Sequence, residues 1–361
     1  MAGADCFEKL RARQSRAVAN LRSKFAPRNR LRISRLGSES FCKEPLAILL
    51  HLCYNTIRIF ITSKGILMKL YAPTYYKKFR CIADRCEHSC CIGWEIDIDD
   101  NTLQKYKRLK SGYGAVIKDS ISMDETPHFR LCEGDRCPHL DERGLCKIIL
   151  GVGEDYLCDI CREHPRFYNF TSVAEVGVGM SCPEAARLIL SSPDFAKLEE
   201  VGDVADYTDD VPFDGCAARN ELYAILENND YAGALDKIYH EYSIDAGKDD
   251  RWLNILNSLE YLNAEHKGLF MCYSSAHRPE CEEADAYLKR FLAYLVFRHC
   301  TEAFCKDDFC TRLSFCLFCE RLLASLICIQ GATSLQEVAT LASIISEELE
   351  YSEENTWALM G

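Results

Sequence analysis

Ten cysteines fall between Cys81 and Cys182 of a 361-residue chain that holds 22 of them. A stretch this rich in thiols has three stable uses: disulfides, metal ligation or buried apolar packing. Small secreted domains use disulfides because their cores are thin. This chain is long enough to bury a sizeable core, and its first 40 residues are Arg-rich and broken by polar residues, unlike an export signal. The expected compartment is therefore the reducing cytoplasm, where clustered cysteines read as metal ligands or reactive thiols.

Charge divides the chain. Residues 1–67 carry 13 Lys and Arg against 4 Asp and Glu, and the remainder carries 30 against 51. An acidic body argues against nonspecific nucleic-acid binding. Residues 47–62 are apolar but contain His51, Asn55 and Arg58, too short and polar a stretch for a spanning helix. No membrane association is expected. The reversal of charge and the segment opening at Met68 suggest that translation starts at Met68 and that 1–67 form a basic extension outside the working protein.

The segment 68–183 reads as a small, irregular, cysteine-rich α+β module. Glu95-Ile-Asp-Ile-Asp alternates like a short strand, Thr102 to Lys110 suits a short helix, and Gly134 and Gly144 suit hairpin-like turns between Phe129 and Cys146. Such a region often depends on a metal, because it buries too little to fold alone. Pro183 followed by Glu184 reads as a helix start. Residues 196–215 read as an acidic loop. Helical patterns then cover about 216–228, 231–242, 250–269, 283–305, 308–330 and 334–350, so 184–361 is expected to be a helical domain and the whole mainly α.

The thiols fall in four clusters: Cys81-x4-Cys86-x3-Cys90-Cys91, Cys137-x8-Cys146, Cys158-x2-Cys161 and Cys182. Structural zinc usually takes two short pairs. The adjacent Cys90-Cys91 and the x3 and x4 gaps fit an iron–sulfur centre better, which takes four thiolates from irregular loops. Zinc, or buried thiols without metal, stay open. A radical-SAM Cys-x3-Cys-x2-Cys triplet is broken by Gly93. The candidate ligands are Cys81, Cys86, Cys90, Cys91, Cys137, Cys146, Cys161 and Cys182, with Cys132 and Cys158 ranked lower. One four-iron cluster needs four, so the rest are buried, supporting or part of a second site. Cys300, Cys305, Cys310, Cys316, Cys319 and Cys328 lie in helical patterns among Phe and Leu and read as packing. Gly151-Val-Gly153-Glu154 reads as a plain turn rather than a nucleotide-binding one.

Tyr75-Tyr76-x2-Phe79-x-Cys81-x4-Cys86-x3-Cys90-Cys91-x-Gly93-Trp94-x-Ile96-x-Ile98-Asp99 resembles the opening signature of the flagellin lysine-N-methylase family. Cys137-Pro138-x-Leu140 with Leu145-Cys146, Cys161-x3-Pro165-Arg166, Ser181-Cys182-Pro183-Glu184 and Tyr294-Leu295-x-Phe297-Arg298-His299 extend the resemblance from about residue 68 to near the end. The resemblance implies methyl transfer from S-adenosylmethionine to lysine ε-amines of flagellin, with an iron–sulfur cluster. For that reaction Arg166 is a candidate to pair with the donor's carboxylate, a structural salt bridge being the other reading. Trp94, Tyr75, Tyr76 and Tyr168 are candidate aromatic walls for a cation, or ordinary packing. Arg166 and Trp94 are the cofactor-binding candidates, and no general base is apparent. The rival readings are a non-catalytic flagellin-binding protein and a zinc or iron chelator, although a plain chelator would not need the helical half.

Overall fold

The computed structural model describes residues 67–360 apart from 87, 111, 125 and 206–211. The expectations for the apolar stretch 47–62 and the basic extension lie outside them. Lys64–Gly361 form one unit, and the architecture is mainly α: thirteen α-helices and six short strands among the described residues.

A four-stranded mixed sheet, ordered β4-β5-β1-β6, ties the chain together. β1 (Leu67–Pro73) pairs parallel with β5 (Ala174–Val178) and antiparallel with β6 (Leu198–Ala205), and β4 (Arg166–Phe170) forms a hairpin with β5. The sequence reading placed a loop over 196–215. The strand forms there because β1 supplies its partner, and Lys69 meets Glu200 at 2.8 Å and Asp203 at 3.1 Å. Those acids mark a charged edge strand rather than a loop. β5 is buried along its whole length. Its one charge, Glu175, is neutralised by a two-pronged contact from Arg219 at 2.6 and 2.9 Å, as burial requires.

Between β1 and β4 lies the cysteine-rich region. It holds α1 (Asp100–Arg108), α2 (Tyr113–Asp119), the two-residue strands β2 (Ile121–Ser122) and β3 (His128–Phe129), α3 (Lys147–Val152) and α4 (Asp159–Glu163). Asp99 caps α1 by accepting from Thr102 N at 2.9 Å. The expected strand at 95–99 reduces to an isolated bridge between Asp97 and His128, while the expected turns appear, with Gly134 and Gly144 at φ +72 and +79°. A small apolar cluster around Ile96, Ile98, Leu103, Tyr106, Ile117 and Phe129 fills this region.

The helical body follows. α5 (Pro183–Ser191) begins at Pro183 as read. α6 (Gly215–Leu226), α7 (Tyr231–Glu241), α8 (Asp249–Ser258), α9 (Ala264–Phe270), α10 (Glu282–His299), α11 (Lys306–Gln330), α12 (Leu335–Ile345) and α13 (Glu353–Met360) complete it. A five-residue π-turn, Ser346–Glu350, joins the last two. The single helix expected over 250–269 is two. The break at Glu260–Asn263 is stabilised from the C-terminal end: Asn355 donates to Glu260 O at 2.6 Å, and Glu348 accepts from Leu262 N and Asn263 N at 2.9 and 3.1 Å. α11 is the central core helix. It is long and apolar enough to cross a membrane, yet 72 % of its most apolar window is buried in the protein. It stops at Gly331, whose left-handed φ of +62° suits a residue without Cβ.

Candidate metal centre and its surroundings

After β1 the chain makes two 3-10 turns, Tyr76–Lys78 and Ala83–Arg85. Buried Tyr75 and Phe79 anchor the first in the main core. Cys81 lies between the turns and Cys86 ends the second, its thiol donating to His88 O at 2.6 Å. Cys182 sits at the N-terminus of α5. These thiols bear on one another. Cys90 is driven up first by its hydrogen bond with Cys91, then by burial, with Cys81 and Cys182 adding. Cys182 is pushed up to about 11 by burial, with Cys86 and Cys81 adding. One group therefore comprises Cys81, Cys86, Cys90 and Cys182, two segments brought to one place.

A second group forms in the cysteine-rich region. Cys137 N donates to Cys91 O at 2.8 Å, and Leu140 bridges to Cys146. Cys146 and Cys158 stand at the N-termini of α3 and α4, and Cys161 lies in α4. Burial pushes Cys137 up to about 12, and the thiols of Cys91, Cys146 and Cys158 add to it. Cys161 is raised by its hydrogen bond with Cys158 and then by burial, with Cys91 and Cys137 contributing. Cys91 is lowered to about 7, chiefly by the hydrogen bond with Cys90, then by Ser89 and Arg136. The adjacent pair Cys90-Cys91 thus stands where the two groups meet. The eight candidate ligands divide four and four, with Cys158 joining the second set. Cys132 is exposed and belongs to neither.

No disulfide joins the described cysteines. Among the described residues no three His, Cys, Asp or Glu side chains stand in metal-holding geometry; the thiols are gathered rather than focused on a point. The donor chemistry of each group nevertheless fits a thiophilic centre, since each offers at least four soft donors on loops and helix starts. Of the late cysteines, Cys300, Cys316 and Cys319 are buried in the helical core as expected, and Cys328 is exposed.

Beside the first group lies an aromatic and ionic seam. Trp94 Nε1 donates to Cys90 O at 2.6 Å, and its ring lies 6.0 Å from that of His164. His164 in turn lies 6.3 Å from Tyr351. Arg298 covers Tyr351 at 4.7 Å and Phe167 at 5.1 Å, positions suited to cation–π attraction. Behind them Glu350, fully buried on the π-turn, meets Arg298 Nε at 3.3 Å and His299 Nε2 at 2.8 Å and accepts from Tyr294 Oη at 3.1 Å. Burial pushes the Glu350 carboxyl up, but Arg298 and His299 outweigh it and hold it below the usual range. A Cβ on Gly179 would collide with Tyr351 Oη and Arg298 Nη1, so glycine lets the strand end approach this cluster. Single π-turns inside helices are frequent at functional sites. His88 links the first cysteine loop to the same turn through Glu347 at 3.0 Å.

Of the two residues expected to meet the donor, Trp94 lies in this seam. Arg166 donates to Tyr76 Oη at 3.1 Å and to Arg162 O at 3.1 Å and forms no ion pair among the described residues. The structural salt bridge considered for it is therefore not formed there. Tyr75 is a core residue, and Tyr168 stacks on Phe170 and donates to Glu163; neither presents a free aromatic wall. Sequence reasoning missed His164, Tyr351 and Glu350. A signal existed for part of this: Tyr294 and Arg298 of the late helix motif sit one turn apart and both reach Glu350.

Burial, then Arg298 and His88, lower the His164 imidazole to about pKa 4. It is neutral at pH 7, and its ring nitrogens make no hydrogen bond among the described residues. The seam can therefore hold a cation against π-faces and offer a neutral nitrogen lone pair beside it.

The chain is 28% identical over 136 residues to proteins named Lysine-N-methylase in Salmonella typhimurium and Salmonella choleraesuis. The match covers 36% of this chain and 34% of each relative, so about a third of their length is spanned. A protein named Flagellar biosynthetic protein FliU in Salmonella muenchen matches at 28% over 136 residues, 36% of this chain and 80% of that protein. No family model and no solved structure matches.

Proposed function

We propose that this chain is a protein lysine N-methyltransferase acting on flagellin, with S-adenosylmethionine as donor and an iron–sulfur cluster held by Cys81, Cys86, Cys90 and Cys182. The reading is carried by one observation: four thiols from two segments gather beside a seam of Trp94, His164 and Tyr351, in a chain similar to proteins named Lysine-N-methylase. When bound, such a cluster cross-links those segments and can exchange one electron.

Methylation of an amine requires a neutral lysine in line with a methyl group on a sulfonium, which S-adenosylmethionine supplies when bound. As the nitrogen–carbon bond forms, the carbon–sulfur bond breaks and its electron pair stays on sulfur. The residues of this chain prepare that alignment. Trp94 and Tyr351 offer π-faces to the positive charges of the reactants. Arg166, which pairs with no carboxylate among the described residues, can hold the donor's carboxylate. His164, its ring kept neutral by burial and Arg298, can accept a hydrogen bond from the uncharged lysine amine and adds no positive charge beside the sulfonium. Glu350 fixes Arg298, and with it Tyr351, from behind.

Mass spectrometry of flagellin co-expressed with this protein tests the reading. Lysine masses are expected to rise by whole methyl groups, and to rise far less with Trp94→Ala or His164→Gln. Lysine masses identical with and without the protein would sink it.

A further inference from the structure

The second group of thiols has no part in that chemistry, and the region holding it is short of other stabilisation. α2, α3 and α4 have seven, six and five residues, and β2 and β3 two each. Isolated bridges at Ile92–Arg136, Cys132–Arg136 and Leu140–Cys146 replace ladders. Eleven buried residues make its core, and two of them are Cys137 and Cys158, with Cys91, Cys146 and Cys161 packed against it. A core this thin usually needs a disulfide or a metal to hold it, and these thiols are all free.

The polar neighbours narrow the donor set. His139 is buried at the centre of the region, but Tyr113 Oη meets its Nδ1 at 2.8 Å and Ser120 Oγ its Nε2 at 2.9 Å. Both ring nitrogens are taken, so the thiols rather than His139 are the candidate donors. Cys158 and Cys161 form a Cys-x2-Cys pair at the start of α4, and Tyr106 Oη, which donates to Tyr156 O at 2.7 Å, lies 3.5 Å from Cys158 Sγ, a polar group beside the thiol of the kind that surrounds metal ligands. Cys137 and Cys146 bracket one turn, and Cys137 N donates to Cys91 O at 2.8 Å.

We propose that this region holds its own structural metal ion, zinc by donor chemistry, on four of the five thiols Cys91, Cys137, Cys146, Cys158 and Cys161, separate from the centre at Cys81, Cys86, Cys90 and Cys182. An all-sulfur, four-coordinate site on short elements in an apolar setting suits structural zinc. On binding, each ligating thiol releases its proton to solvent and turns from its present hydrogen bond toward the ion. The inference does not depend on methyl transfer.

The full chain, purified without oxygen, is assayed for zinc and iron. About one zinc per chain is expected, as in a closed tetrathiolate site. Cys137→Ser with Cys161→Ser should lose the zinc and keep the iron; Cys86→Ser should do the reverse. Iodoacetamide labelling of the unaltered protein, read peptide by peptide, covers the case in which the variants do not fold. The half-buried Cys91, Cys146 and Cys161 should resist labelling, and at least two of them, the fewest that four ligands out of five thiols allow, should lose that protection once a chelator strips the metal. Absence of zinc from protein made in zinc-replete cells, or labelling unchanged by the chelator, would overturn the proposal.

Discussion

In α11 the thiols of Cys316 and Cys319 share a core with Phe309, Leu313, Phe318, Leu322 and Leu323, and Cys300 Sγ approaches Cys316 Sγ at 3.8 Å with no further partner needed. Between Cys91 and Cys161 the same residue type sits on turns and helix starts around a thin core. The body can treat sulfur as a small apolar group because long helices already bury enough surface. The short elements of the cysteine-rich region bury less, and it is there that we propose the thiols hold a metal. On that reading the same residue type has two physical roles in one chain, set by how much apolar area surrounds it.

The sharpest way to break that contrast is metal removal. Ligation of a structural ion contributes on the order of 10 kcal/mol. Stripping it should open residues 91–161 to proteolysis while the far-ultraviolet circular dichroism of the body persists. Simultaneous loss of both signals would show that the body depends on the metal as well.

Packing should dominate inside the body. Phe318 is fully buried and stacked on Trp252 at a centroid distance of 4.0 Å. Phe318→Ala should cost about 4 kcal/mol in urea unfolding, with no change in bound metal.

Between the two regions the buried ion cluster sets the next effect. Glu350→Gln leaves Arg298 buried beside a neutral partner, and about 3 kcal/mol of destabilisation is expected. A loss under 1 kcal/mol would mean the cluster is better hydrated than its burial indicates.

Acid should act at the same place. Above pH 6.5 His164 is neutral in both the folded and the unfolded chain and contributes nothing to their difference. Between 6.5 and about 4 the unfolded chain takes up a proton that the folded site refuses, so stability falls as pH falls. At pH 5 this costs at most about 2 kcal/mol. His164→Gln should lose less stability than the parent between pH 7 and pH 5, and equal losses would remove His164 as the cause.

The smallest effect belongs to a body thiol. Cys319→Ala should cost about 1 kcal/mol, the burial of one small group, and leave zinc and iron contents untouched. Any loss of metal would erase the distinction between the regions.

Much of this was open to reading in the sequence, because periodicity and motif spacing are local. The Pro183 start of α5, most helices of the body and the turns at Gly134 and Gly144 follow from residues close to one another in the chain. The thiol pool was legible for the same reason. Less local features were not. The acidic segment 198–205 became a strand only because β1, more than a hundred residues earlier, offers Lys69. The gap between α8 and α9 exists because Asn355 and Glu348 reach back from the C-terminal end to its backbone.

What the sequence alone determined is an inventory: a mainly helical chain with its thiols in close-set clusters, fixed by propensity and pattern. What only the tertiary structure decided is allocation. Neighbouring Cys90 and Cys91 stand where two thiol groups meet, Cys158, ranked low in the sequence, stands with Cys137 and Cys161, and Glu350 meets Arg298 across half a hundred residues. Spacing limits how far two side chains can reach, but which of them meet depends on how distant elements are buried together.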